Sequence, residues 1–572
     1  VGFIFQFKPG INIRLLLVLF FAFNGSLLLY LRTIYPSVGG GDSGELTIAA
    51  YTLGIAHPPG YPLYTLLAKA ATWFPVGTIA FRVNALSALC SSAATSLLGL
   101  SVYRLTRMTS ATLLTMGVFA LNPLIWEYST VAEVFALNNL LMASLLVIAT
   151  GSPGPWRLRA AALVVGLGLS NHHTSIFISS SIFAWIWIQE RRQAELPIGP
   201  QLPKILLAFL LGISPYLYLP ISAWLNPTAH GWGDLRGLEE ILKHLLRSEY
   251  GTFSLVANES SKGNANEFHS FGLLKAYVHH LFETMGPAGG AIALLGLMKW
   301  NRGSLQFWLL FAFFFYLTVF HSLVNLSPSD PVQLSVIERF WQQADLLLSV
   351  GLGLGFARVF GFLSTPRKAA VRWGSLALVF VFLAPKLSEG ISARSARDRG
   401  ILAAYGKSLL ESVPRNAIIL VRGDLRANIL IYLQECEAMR PDVRILETEL
   451  MTYPWYRFRT PNSVTLPGWS YRPGSGAGYL IGDWLDLQNE SEPGIRIFEL
   501  GGFRAEDRSN EKSYRLVQNS VFQEIVPLNS TAEPEPLSPQ FGNLGSIFNL
   551  IQYAPGSWEF PIIQEIRTKV RK

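Results

Sequence analysis

Again and again the chain runs for close to twenty residues with almost no charge, and this pattern constrains its fold more than any other feature. A helix needs ~20 mostly apolar residues to cross the hydrocarbon of a bilayer. Candidates lie near Ile11–Tyr35, Ile79–Tyr103, Thr109–Trp126, Val131–Thr150, Leu158–Ser170 and Thr174–Ile188. Others lie near Ile205–Trp224, Gly286–Met298, Leu305–Leu323, Trp341–Phe362 and Trp373–Pro385, giving about eleven spans. Composition agrees: half of the 572 residues are hydrophobic and 15% are charged, against about 25% charged in a soluble domain. A disordered chain, a coiled coil and a cytosolic globule are excluded. The net charge of +8 is no nucleic-acid signature, because Lys and Arg fall mostly between the apolar segments.

The basic residues orient the chain. Alternate connections carry Arg104 and Arg107, Arg157 and Arg159, then Arg191, Arg192 and Lys204. The series continues with Lys299 and Arg302, then Arg367, Lys368 and Arg372. These are the expected cytosolic loops, with the N-terminus on the same side. The other loops, 36–78, 225–285 and 324–340, are longer and fall on the far side. An odd number of spans puts the tail there too. Four sequons, at Asn258, Asn325, Asn489 and Asn529, lie in far-side segments and are expected glycosylation sites. The far side therefore reads as the endoplasmic reticulum lumen. Residues 1–386 are expected to form the membrane domain and 387–572 a luminal C-terminal domain. A strand-like run, Ala417–Arg422, followed by a Gly423-Asp424 turn and a helix, makes that domain α/β. Two cysteines, Cys90 and Cys436, cannot build a disulfide framework, and no zinc-ligand spacing occurs, so no metal site is expected.

The far-side loops hold the chemistry. The first contains Gly39-Gly40-Gly41-Asp42-Ser43-Gly44-Glu45, then His57-Pro58-Pro59. Glycines let a backbone approach a ligand closely, while Asp followed three residues later by Glu also reads as a helix capping box. Thr130 and Glu133 repeat that spacing, which accounts for Glu133 as a cap; Glu127 has no such explanation. Adjacent His172 and His173 cannot point the same way on a helix. The long loop carries Gly231-Trp232-Gly233-Asp234, an amphipathic stretch 235–246 suited to the interface, and Arg247. Glu338-Arg339 at the mouth of a span is an ion pair or an anion site. Arg82 either snorkels to headgroups or holds a lipid-linked phosphate. Carboxylates and cations converging on one membrane face suit group transfer from a phospholipid-like carrier to a luminal acceptor. A carboxylate there can accept the acceptor's hydroxyl proton, and a cation can neutralise the departing phosphate. A transporter should instead carry ionisable residues near mid-span, and most charges here sit at span ends. A non-catalytic subunit of the same fold would not need Asp42 and Glu45.

Asp42-Ser-Gly-Glu45, His57-Pro-Pro-Gly-Tyr-Pro and Phe81-Arg82-Val-Asn84 resemble the first loop and following span of the glycosyltransferase-C membrane enzymes. Trp126-Glu127-Tyr128, Asn171-His172-His173-Thr174, Trp232-Gly233-Asp234 and Glu338-Arg339-Phe340-Trp341-Gln342 are similar to blocks of a protein O-mannosyltransferase branch of that family. The resemblance implies a polytopic α-helical glycosyltransferase-C fold. It implies mannose transfer with inversion from dolichyl phosphate mannose to Ser/Thr of folded acceptor domains of the plexin-receptor immunoglobulin-like type. No cofactor or metal is required on that reading, and another polyprenyl-phosphate sugar is the alternative donor. Asp42 is then the catalytic base or acceptor-orienting carboxylate, with Glu45 beside it. His57, Arg82, Glu127, His172, His173, Trp232 and Arg339 are the candidate substrate-binding residues.

Overall fold

The computed structural model describes residues 13–193, 199–227, 230–248, 268–299, 301–362, 368–395, 400–459, 464–473, 477–531, 533–537 and 556–569. Asn258 lies outside the described residues. The bundle begins with α1 (Ile13–Arg32), then the loop helices α2 (Ser43–Thr52) and α3 (Pro62–Thr72). Next come α4 (Ile79–Thr106), α5 (Thr109–Leu121), α6 (Pro123–Tyr128), α7 (Val134–Ala149), α8 (Pro155–Asn171) and α9 (Ser175–Gln193). They are followed by α10 (Leu202–Ile213), α11 (Tyr218–Leu225), α12 (Leu238–Leu245), α13 (Phe268–Leu297) and α14 (Leu305–Leu323). The bundle ends with α15 (Pro331–Glu338), α16 (Gln342–Phe362) and α17 (Lys368–Ser395).

Every apolar segment read from the sequence falls on a helix. Among the described residues, 6 helical stretches are long and apolar enough to cross a membrane, and Thr109–Leu121 and Val134–Ala149 are shorter apolar helices. Without a hydrophobic drive between helices in lipid, small residues decide where backbones meet. Gly166 of α8 lies against Gly212 of α10, and Gly296 of α13 against Gly351 and Gly355 of α16, with no room for a side chain.

Two boundaries differ from expectation. Residues 268–285, read as part of a long loop, form the first half of α13. Lys275, His279, His280 and Glu283 dilute the hydropathy there, but Leu273, Tyr277, Leu281 and Met285 repeat every four residues and are buried. The helix breaks at Gly286, whose φ is 72°, just before Pro287. The last bundle helix, α17, also continues past Pro385 to Ser395, across the expected 386/387 boundary.

The C-terminal α/β domain comprises α18 (Ile401–Ser412), β1 (Ile418–Val421), α19 (Asp424–Glu435), β2 (Arg444–Glu447), α20 (Ile481–Ser491), β3 (Ile497–Leu500), β4 (Tyr514–Asn519), β5 (Phe522–Pro527) and α21 (Phe560–Lys569). The sheet order is β2-β1-β3-β5-β4. Strand β1 runs parallel to β2 and β3, and β5 is antiparallel to β3 and β4. Alternation along β1 sends Ile419 and Val421 toward α18, α19 and α21, and Ile418 and Leu420 toward α20. The first of these cores also takes in Val38, Ile48, Ile79 and Ala80 of the bundle. The domain caps α4 as well: Glu437 Oε1 accepts from the Ile79 N–H (3.3 Å) and the Tyr432 hydroxyl from the Ala80 N–H (3.1 Å). Apolar burial and helix capping thus seat the domain directly on the first loop. Asn489 and Asn529 are exposed on it, and Asn325 is half-buried between α14 and α15.

Candidate active site

The glycine triplet exists because three side chains press on it. Val131 leaves no room for a side chain at Gly39, nor Trp558 at Gly40; Gly41 has a φ of +65° and faces Glu133. The turn delivers Asp42 to the start of α2, where its side chain makes no capping hydrogen bond. Instead Asp42 Oδ2 accepts from Arg339 Nη1 at 2.8 Å. Glu133 closes the cluster: its Oε1 accepts from the Asp42 backbone N–H (3.3 Å) and sits 3.5 Å from Arg339 Nη1. The Arg339 guanidinium lies against the rings of Phe135 and Phe340, 5.8 and 5.6 Å from their centroids. Its Nε is buried with no hydrogen-bond partner among the described residues.

The two carboxylates have unlike surroundings. Asp42 keeps 29% of its side chain exposed and Glu133 only 2%. Burial alone would raise Asp42, but the charges of Arg339 and His57 and the Arg339 hydrogen bond outweigh it and hold its pKa below the usual carboxylate value. Burial and the neighbouring Asp42 charge push Glu133 the other way, up to about 8. At neutral pH Asp42 is ionised and Glu133 carries a proton. Divergent pKa values in an adjacent pair mark an acid–base assignment: Asp42 can accept a proton and Glu133 cannot.

Glu45, one turn into α2, takes both the backbone N–H of His57 and its Nδ1, the latter at 2.9 Å. The other ring nitrogen, Nε2, meets the Tyr61 hydroxyl at 2.9 Å. Burial lowers the His57 pKa, but the charge and hydrogen bond of Glu45 raise it more, so the imidazolium is favoured. The Tyr61 ring stacks on His172, with centroids 5.6 Å apart. His172 Nδ1 accepts from the Thr174 backbone N–H at 3.2 Å, which leaves the proton on Nε2. His173 turns away and meets the Tyr216 hydroxyl at 2.8 Å.

Asp42, Glu45, His57, His172 and Arg339 therefore come together. Trp232 joins them, its ring 6.4 Å from that of His57 and packed against Tyr453 and Trp455. Arg82 and Glu127 stand apart. Arg82 gives its guanidinium to carbonyls at and beyond the end of α3, those of Thr72 (2.8 Å), Gly77 (3.1 Å) and Val76 (3.3 Å). Glu127 accepts from the Tyr35 hydroxyl at 3.1 Å and pairs with Arg394 at 3.7 Å.

Glu133 corrects the sequence reading. Its spacing from Thr130 predicted a capping box; Glu133 is itself the residue preceding α7, and its side chain makes no cap. Tyr61 and Trp558 were also missed. An acid flanked by Ala132 and Val134 at the mouth of a span was the signal for Glu133; Trp558, over five hundred residues from Gly40, left none. Among the described residues, no group of three or more His, Cys, Asp or Glu side chains is arranged to hold a metal ion.

A bundle of apolar helices, an acidic first loop and an Arg closing on it from a later span are the architecture of a glycosyltransferase-C membrane enzyme. The solved structure of ArnT from Cupriavidus metallidurans bound to undecaprenyl phosphate shares the fold, with a TM-score of 0.55 at 11% identity over 92% of this chain and 100% of that one. Residues 42–195 match the "Protein O-mannosyl-transferase TMEM260 N-terminal domain" and residues 402–463 the "TMEM260-associated domain 2". Protein O-mannosyl-transferase TMEM260 of Mus musculus is 34% identical over 553 residues, covering 92% of this chain and 77% of the mouse protein. The Dictyostelium discoideum protein of that name is 29% identical over 607 residues, covering 96% of this chain and 72% of its own length. The chain belongs to the protein O-mannosyl-transferase TMEM260 family and is a membrane glycosyltransferase.

Proposed function

We propose that the chain transfers mannose from dolichyl phosphate mannose to Ser/Thr hydroxyls of folded acceptor domains in the endoplasmic reticulum lumen, with inversion at the sugar carbon. An odd number of spans, about eleven, with Lys and Arg on alternate connections, supports an N-terminus in the cytosol and the α/β domain in the lumen. Plexin-type immunoglobulin-like domains are the acceptor class. The acceptor oxygen attacks the anomeric carbon from the face opposite the phosphate. As that bond forms, the carbon–oxygen bond to phosphate breaks and its electron pair leaves with dolichyl phosphate. The hydroxyl proton passes to Asp42, which is ionised and partly exposed. Arg339 meets the charge gathering on the phosphate. The leaving phosphate needs no proton, so Glu133 need not act as an acid. The reading calls for no resident metal or other cofactor, and activity should survive chelation.

One observation carries this reading. Arg339 is anchored to Asp42 by one nitrogen, while its buried Nε has no partner among the described residues. A buried guanidinium N–H left open in this way is suited to an anionic ligand. The test is a transfer assay in liposomes with radiolabelled dolichyl phosphate mannose and a plexin-type acceptor domain, using wild type and Asp42→Asn. Label reaching the acceptor with wild type alone supports donor, acceptor and base together. Donor hydrolysis that needs Asp42, without transfer, keeps the donor and removes the acceptor class. Neither reaction with well-folded wild type removes the donor.

A further inference from the structure

The turn that presents Asp42 is built from the residue least able to hold a turn by itself. Glycine has the most backbone freedom to lose on ordering, and the Asp42 side chain adds no cap at the start of α2. The turn is therefore held from outside. Val131 closes on Gly39, and the indole of Trp558 lies along Gly40 and Gly41. The Cβ end of Trp558 fills the place of a side chain at Gly40, while a Cβ at Gly41 would stand 3.5 Å from Cε2 of the ring. Gly41 is the residue immediately before Asp42.

Trp558 belongs to a short segment, 556–559, that touches the supports of both Asp42 and Arg339. On the loop side, Glu559 is 2% exposed and its Oε1 accepts from the Tyr35 hydroxyl at 2.8 Å. Tyr35 is fixed in turn: its backbone N–H donates to the Thr130 carbonyl (3.1 Å), and its own carbonyl accepts from Asn84 Nδ2 (2.9 Å). On the other side, a Cβ at Gly556 would stand 3.1 Å from the carbonyl oxygen of Pro331, the first residue of α15. Arg339 directly follows that helix. Behind the segment, α21 supplies its own anchorage. Ile562, Ile563 and Ile566 are buried in one core with Val38 and Ile48. Glu565 Oε2 accepts from Arg426 Nε at 2.9 Å and from the Tyr405 hydroxyl at 3.2 Å. Seating the segment therefore does not depend on Trp558, which is only half-buried, unlike the fully buried Trp126, Trp341 and Trp484.

We infer that Trp558 is a positioning residue for the transfer reaction: by fixing the Gly40-Gly41 turn it holds Asp42 at the Arg339 guanidinium. The inference rests on Asp42 as the base, as proposed above. A misplacement of about 1 Å in a reacting group can cost on the order of 10²-fold in rate. Arg339 has its own packing on Phe135 and Phe340, so loss of Trp558 moves the base and spares the phosphate contact.

The test is a double-mutant cycle on the full-length chain in liposomes, with radiolabelled dolichyl phosphate mannose and the acceptor domain. It compares wild type, Trp558→Ala, Asp42→Asn and the double variant by single-turnover rate at saturating donor, with folded protein counted by thermal unfolding. Trp558→Ala should lower the rate roughly ten- to a hundredfold, leaving KM for donor and acceptor unchanged. Trp558→Phe, which keeps a flat ring over Gly40, should restore most of the rate. On the Asp42→Asn background Trp558→Ala should cost nothing more, because a residue that acts only through Asp42 has nothing left to position. Trp558→Leu keeps apolar bulk without the flat ring; it serves the same cycle if the Ala variant does not fold, with a smaller loss of the same kind. Equal losses with and without Asp42, a change confined to KM, or a wild-type rate in Trp558→Ala each overturns the inference and leaves the base reading intact. Near-normal turnover by Asp42→Asn instead removes the base reading, and this inference with it.

Discussion

Two aspartates near the ends of spans look alike on paper and differ in what surrounds them. Asp345 in α16 is 1% exposed, and its carboxylate is fully engaged. Asn122 Nδ2 and His280 Nε2 donate to Oδ2 at 2.8 and 2.7 Å, and the Tyr277 hydroxyl to Oδ1 at 3.2 Å. Asp42 has one short contact, to Arg339, and remains 29% exposed. The first arrangement ties three helices together and leaves nothing for a ligand. The second holds its charge in place with the shell incomplete. An ionisable group inside a membrane protein marks a functional candidate by default; here the number of partners separates the strut from the reactive group.

Substitutions can break this comparison. The largest effect is expected from Asp42→Asn: transfer falls roughly 10³-fold while the melting temperature holds, read by single-turnover labelling and thermal unfolding. Asp345→Ala should do the reverse, costing about 3–5 kcal/mol of stability with turnover per folded molecule near wild type. A variant of Asp345 that stays stable but inactive would end the distinction. Arg339→Lys should weaken donor binding roughly ten- to a hundredfold, because a point charge cannot serve Asp42 and a phosphate together; titration with dolichyl phosphate reads it directly. The smallest effect sharpens the picture. Glu133 is neutral below about 8 and ionised above it. As pH rises through that value, a second negative charge joins Asp42 on Arg339 and competes with phosphate, so kcat/KM falls. Glu133→Gln cannot ionise, and a pH profile should show that limb gone with activity at neutral pH retained.

Much of the site could be read from residues that are neighbours in the chain. Asp42, Glu45 and His57 share one loop, and their glycines and prolines mark it as constrained. Arg339 stood out as a cation at the mouth of a span. Arg82 looked equally suitable, but its carbonyl partners lie within ten residues and satisfy it locally. Glu133 was hidden by a spacing that fits a helix cap, a case where a local explanation was sufficient and not the one the fold uses. The first half of α13 escaped because charged residues on its other face lowered an average that hides periodicity.

The amino-acid sequence by itself determined which segments leave water, because transfer into lipid is close to a sum over residues within a window. It likewise determined the strand–turn–helix opening of the α/β domain, where hydrophobic runs and a Gly-Asp turn act over a few residues. Which charges meet was decided only by tertiary structure. Asp42 and Arg339 are 297 residues apart, and the Asp42 backbone N–H reaches Glu133 across 91. Coulomb attraction and hydrogen bonding depend on distance in space and on the water excluded around them, and neither quantity exists until the helices and the domain above them have packed.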